Sequence, residues 1–301
     1  MAEGSDHAER ASLAPLRSNN VSAHSSVPST CETTPGTTQR PKISRTSSDP
    51  RARAALSARD HLVLVFIALA REVAQYHLHA LFFAGKSEVA LSRCVRRLAG
   101  LGLITIYRWR KVGINRLRLT VAGADYIREH DLAPESQIYV AARPTADKDV
   151  AHALWIVDLL VLYRIFAPAI DALPCWHARR TLGTKAGVSI PDLLAVPKRP
   201  GAPLVAIEVD RATERLRIVV EKLQALDTTL AALAADAPAT ILFLTIGARR
   251  VLAIEKALTH LNLRAAVVVA ELPKDPGRPG LAALARQVFQ KDFSATDRGA
   301  K

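Results

Sequence analysis

Two short runs of this 301-residue chain hold the acidic residues whose types and spacing could do chemistry. SIPDLLAV contains Pro191 and Asp192, and PLVAIEVDRATE contains Glu208, Val209 and Asp210. Both runs read as strands. Residues i and i+2 of a strand point to one face, so Glu208 and Asp210 project together. With Asp192 on a neighbouring strand, three carboxylates converge. Such a cluster is unfavourable unless a cation sits in it. That cation is either a divalent metal, with Asp192, Glu208 and Asp210 as its ligands, or a side chain such as Lys222, Arg179 or Arg180. Oxygen-only ligands favour Mg²⁺ or Mn²⁺ over zinc. A plainer alternative stays open: Asp210 and Thr213 cap the long helix that follows, and Glu208 pairs with an arginine.

A second constellation is cationic. The chain has 41 Lys and Arg against 28 Asp and Glu, a formal charge of +13. Between residues 86 and 118 there are nine basic residues and a single acid, Glu88. Arg93, Arg96 and Arg97 follow helical spacing and share one side of a helix. Arg108, Arg110, Lys111 and Arg116 fall in and around a turn between two short apolar runs. This density points to a polyanionic partner, double-stranded DNA. His61, His77 and His79 match no metal-binding spacing and read as packing or surface residues.

The elements that present these cations form a recognisable series. Asp60 is placed to cap a first helix over 62–73, a short second helix covers 77–83 and stops at Gly85, and Ser87 opens a third. Strands at 103–109 and 115–120 flank the basic turn, and a closing helix covers 120–127. Three helices, a hairpin and a helix make a winged helix-turn-helix over 60–130, whose third helix can enter a major groove while the hairpin touches the backbone. Residues 1–59 are rich in Ser, Thr, Pro and Arg without an apolar period, and read as a disordered tail.

After a polar linker at 131–148, a strongly apolar helix covers 149–166. Apolar runs at 175–182, 189–197 and 204–209 follow, then helix 213–235, strand 240–246, helix 248–261 and strand 265–270. Interleaved strands and helices imply an α/β fold (α+β over the whole chain) with helices covering a mixed sheet over 149–272. A turn-rich break opens the extension at 273–301, which holds one more short helix. His152 and Asp158, on the helix before the sheet, read as packing and surface residues.

Other classes find no support. No apolar run is long enough for a membrane span, and no signal-peptide pattern opens the chain. Cys31, Cys94 and Cys175 are too scattered for a disulfide framework, consistent with the cytoplasm. There is no GxxxxGK[ST] phosphate loop and no GxSxG nucleophile elbow.

Pro191-Asp192 followed some fifteen residues later by Glu208-x-Asp210 resembles the PD-(D/E)xK nuclease core. The resemblance implies Asp192 and Glu208 as metal-binding acids, with Mg²⁺ the implied cofactor. Asp210 stands where those nucleases carry lysine, and Lys222 could supply the ammonium from the next helix. The whole layout over roughly 60–270, with EVDRATE followed by Lys222 as its most specific part, resembles the replication-relaxation family of plasmids and other mobile elements. That resemblance implies a DNA-binding protein of plasmid replication or mobilisation whose nuclease-like domain adds DNA or partner contacts. A homodimer and a relaxase or replication partner are compatible with it. Two alternatives remain: an active Mg²⁺-dependent endonuclease using Asp192, Glu208 and Lys222, and a transcriptional regulator with a sensing domain.

Overall fold

A computed structural model describes residues 56–182, 188–199, 201–233 and 237–296. The reading of the tail lies outside these residues up to position 55. The first helix, α1 (Ala58–Ala70), starts slightly earlier than its sequence suggests because Ser57 caps it. Asp60 is the reciprocal partner, its carboxylate accepting from the Ser57 backbone N–H at 2.9 Å. Arg71, at φ 64°, ends the helix, and Val73–Ala74 leaves it as strand β1. The expected helix to residue 73 is thus cut short, because β1 pairs with a strand more than forty residues later.

Next come α2 (Gln75–Phe82) and α3 (Glu88–Gly100), whose buried side is Leu91, Cys94, Val95 and Leu98. Strands β2 (Ile104–Trp109) and β3 (Ile114–Leu119) form an antiparallel hairpin, and α4 (Val121–Glu129) follows, capped by Thr120. The small sheet has the order β1-β3-β2.

Helix α5 (Val150–Phe166) is buried continuously from Leu154 to Tyr163, which is why its sequence is apolar all round. Strand β4 (Ile170–Pro174) is too short and proline-ended to stand out in the sequence. The run at 175–182 folds as helix α6 (Cys175–Leu182). Strands β5 (Leu193–Pro197) and β6 (Leu204–Asp210), helix α7 (Leu216–Leu233), strand β7 (Ala239–Ile246), helix α8 (Ala248–Leu258), strand β8 (Ala266–Leu272) and helix α9 (Arg278–Thr296) complete the chain. The large sheet runs β4-β5-β6-β7-β8, antiparallel up to β6 and parallel from β6 to β8.

The large sheet is covered on both faces. Leu194, Leu204, Ala206, Ile241 and Phe243 pack against Val219, Leu223 and Leu226 of α7 and Ile254 of α8. The opposite face, with Leu193, Ile207, Val209 and Leu244, packs on α5 and α9. This second core runs without a break into Phe66, Leu78 and Leu98 of the N-terminal helices. Residues 131–148 are anchored to both parts: Tyr139 N–H donates to the Ala68 carbonyl at 3.2 Å, and Thr145 N–H to the Glu72 carboxylate at 3.2 Å. Among the described residues no helix is long and apolar enough to cross a membrane.

Candidate functional site

The antiparallel pairing of β5 with β6 sets Leu193 opposite Ile207 and Leu194 opposite Ala206. One step further along that register, Asp192 comes opposite Glu208. Alternation gives Glu208 the face of Leu204 and Ala206, under α7, and there it is fully buried. Lys222 reaches down from α7, placing Nζ 2.5 Å from Glu208 Oε2. Glu208 Oε1 is buried without a hydrogen-bond partner among the described residues. Asp192 is held from two sides: Oδ2 accepts from the Val209 backbone N–H at 3.0 Å, and Oδ1 lies 3.1 Å from His152 Nε2.

The electrostatics separate the two acids. Burial, and then the negative charge of Asp192, push Glu208 up to about 8, with Lys222 opposing. Burial would raise Asp192 too, but the hydrogen bond and charge of His152, with Lys222 and the Val209 N–H, hold it below the ordinary carboxylate value. His152 is raised in turn, because its bond to Asp192 outweighs its own burial. One carboxylate therefore stays ionised while its neighbour retains a proton near neutrality, the division of roles that acid–base sites use.

Asp210 does not join them. It shares the strand face of Glu208, but its Oδ2 accepts from Thr245 Oγ1 at 3.0 Å and from Arg250 Nε at 3.2 Å. The expected three-carboxylate metal site reduces to two, because Arg250 on α8 neutralises the third. Among the described residues no group of three or more His, Cys, Asp or Glu is placed to hold a metal ion. The chemistry of Asp192 and Glu208 still fits a hard divalent cation: two oxygen donors side by side, one with an unpartnered buried oxygen. Asp192 and Glu208 would hold it, and it would supply Lewis acidity toward a phosphate. His152, read from sequence as a packing residue, is the partner of Asp192. It lies forty residues upstream on α5 with no local motif to flag it. Asp158, by contrast, is fully buried on His77, whose Nε2 lies 2.8 Å from its Oδ1.

The cations of the N-terminal segment divide into two sets. Arg93 and Arg96 on α3, and Arg108, Arg110 and Lys111 on the hairpin, are exposed, and none pairs with a carboxylate among the described residues. Arg97 is half-exposed and gives its Nη2 to both oxygens of buried Asp60, at 2.6 and 2.7 Å. Arg116, expected to face DNA, is instead buried. Its Nη1 lies 2.6 Å from Glu72 Oε1, so its charge is spent inside the protein. Arg118 is buried as well, donating to the Ala141 carbonyl and lying over the Tyr107 ring.

Fold and site thus define a mixed α/β protein in which a small helical and hairpin layer shares a core with a five-stranded sheet carrying an Asp–Glu–Lys cluster. The chain belongs to the replication-relaxation family, whose model matches residues 64–235, from α1 through α7 with Asp192, Glu208 and Lys222 included. No curated protein and no solved structure matches it.

Proposed function

We propose that this protein binds duplex DNA in plasmid or mobile-element replication or mobilisation, beside a replication or relaxase partner. The observation that carries this reading is the surface of α3 and the hairpin, where five exposed cations have no carboxylate partner. Surface cations left unpaired keep their charge for an external anion. The order α1, β1, α2, α3, hairpin is that of a winged helix-turn-helix, in which α3 enters the major groove and the hairpin meets the backbone. Family membership supports the biological setting. The test is fluorescence anisotropy of a labelled duplex with the full chain. Arg93→Ala and Arg96→Ala together should weaken binding, with about 1–3 kcal/mol at stake for each side chain that reaches a base edge. Unchanged affinity removes α3 from the interface.

One observation favours a second reading, a Mg²⁺-dependent endonuclease. Lys222 contacts Glu208 directly, so the ammonium missing from position 210 is present in space. A cation there can orient water and stabilise charge developing on a phosphate. Supercoiled plasmid incubated with the chain and Mg²⁺ or Mn²⁺ decides it. Nicking that Asp192→Ala abolishes establishes the enzyme; intact plasmid leaves a nuclease-like site used for binding.

A further inference from the structure

Arg71 is held in a conformation that arginine avoids. Its φ of 64° and ψ of −50°, with the Glu72 N–H donating to the Ala70 carbonyl at 2.7 Å, form a γ-turn of the rare, strained kind. Non-glycine residues kept in such regions gather at binding sites and switches, where surrounding structure over-determines them. Here the turn sends Glu72 inward to Arg116 and leaves Arg71 at a cleft between the two layers.

The surroundings of Arg71 are aromatic. Its guanidinium carbon lies 5.6 Å from the Tyr139 ring centre and 6.0 Å from that of Trp176. Both are tied to the end of α1: Trp176 Nε1 donates to the Leu69 carbonyl at 2.9 Å and Tyr139 N–H to that of Ala68. Among the described residues no carboxylate pairs with Arg71, and its Nε is buried without a hydrogen-bond partner. Ring faces position a guanidinium without neutralising it, so its charge and its fork of donors remain available.

The cleft has a volume of about 470 Å³ and is lined by Arg71, Tyr139, Arg143, His152, Cys175 and Trp176. Asp149 is the acid on its wall. That size suits a nucleotide-sized ligand and excludes a double helix. His152, on the wall, is the residue bonded to Asp192, so the cleft opens onto the carboxylate pair.

We propose that this cleft is a phosphate subsite in which Arg71, with Arg143 and His152, takes one phosphate of a single nucleic-acid strand and sets the adjoining linkage toward Asp192 and Glu208. The proposal rests on the DNA-binding reading and deepens it. A free nucleotide or inorganic phosphate offers the same chemistry, and the experiment separates the sources.

The test uses the full chain, Arg71→Gly and Arg71→Lys. Glycine accepts the positive φ and removes the guanidinium, so Arg71→Gly should melt no lower than the wild type. Anisotropy is measured with a duplex carrying a single-stranded overhang and with the same duplex blunt-ended. Tryptophan fluorescence is followed with thymidine monophosphate and with inorganic phosphate. Arg71→Gly should lose roughly tenfold or more in overhang affinity, the effect of one charge-assisted hydrogen bond, and nothing on the blunt duplex. Arg71→Lys, which keeps charge but not the planar fork, should fall between. Equal overhang binding by the wild type and Arg71→Gly overturns the subsite. Saturable quenching by the small anions without any preference for the overhang overturns its assignment to a strand. A wild-type chain that binds neither duplex overturns the DNA-binding reading itself. The small-anion titrations then judge the cleft alone: quenching lost in Arg71→Gly supports it, and no quenching overturns it.

Discussion

Replacing Glu208 by Gln removes a buried ionisation and should change how stability depends on pH. The carboxyl titrates near 4.5 when unfolded and at about 8 in the folded chain, raised first by burial and then by the charge of Asp192. Below pH 4.5 both states hold the proton, and the folded state has its full advantage. As pH rises, the unfolded chain releases the proton first, so stability falls progressively until the folded group also ionises near 8. At about 1.4 kcal/mol per pH unit the loss is at most on the order of 5 kcal/mol. His152 adds a fall of the same sign, since its folded value is also raised. The readout is therefore the difference between wild type and Glu208→Gln, measured by urea unfolding from about pH 5 to about pH 8.5. The wild-type curve should fall more steeply, by several kcal/mol across this range, on the order set by the raised carboxyl. Mg²⁺ should restore wild-type stability most at the alkaline end, because it needs the ionised pair. Parallel curves for the two proteins would refute the reasoning.

Three further outcomes follow from the packing. Glu72→Ala leaves Arg116 buried without its carboxylate and should cost about 3–5 kcal/mol in urea unfolding, whereas a surface pair would cost far less. Gly123→Ala would set a Cβ 2.1 Å from the Leu103 carbonyl oxygen, so α4 must shift from the hairpin and the melting temperature should drop, for about 1–3 kcal/mol or more. Burial pushes the Cys94 thiol up to about 12 and Cys175 to about 11, so in a Cys31→Ser background a thiol reagent at neutral pH should react slowly until denaturant is added.

The sequence made the elements legible where a period or a cap was local. Ser87, the apolar side of α3 and the hairpin around Arg110 to Gly113 needed only a few neighbouring residues. Asp192 and Glu208 were legible as a pair because the motif places them on adjacent strands, and Lys222 because one helix reaches one acid. What failed to show was set by distant partners. Arg116 looks like every other hairpin cation until Glu72, on the far side of α2 and α3, is folded against it. Asp210 shares a strand face with Glu208, yet Thr245 and Arg250 claim its carboxylate. His152 met Asp192 only through the packing of α5 on the sheet. The turn at Arg71 had no glycine to announce it, because tertiary structure imposes a conformation the local sequence disfavours.

The salt dependence of duplex binding tests the central claim most directly. Each phosphate neutralised releases counterion and contributes about −0.9 to the slope of log affinity against log salt. With Arg93, Arg96, Arg108, Arg110 and Lys111 engaged, the slope for the full chain should lie near −4 to −5, roughly one step per cation. Arg93→Ala with Arg96→Ala should flatten it by about two steps, as removal of two phosphate contacts requires. A slope near zero, or one that the double variant leaves unchanged, would contradict the account.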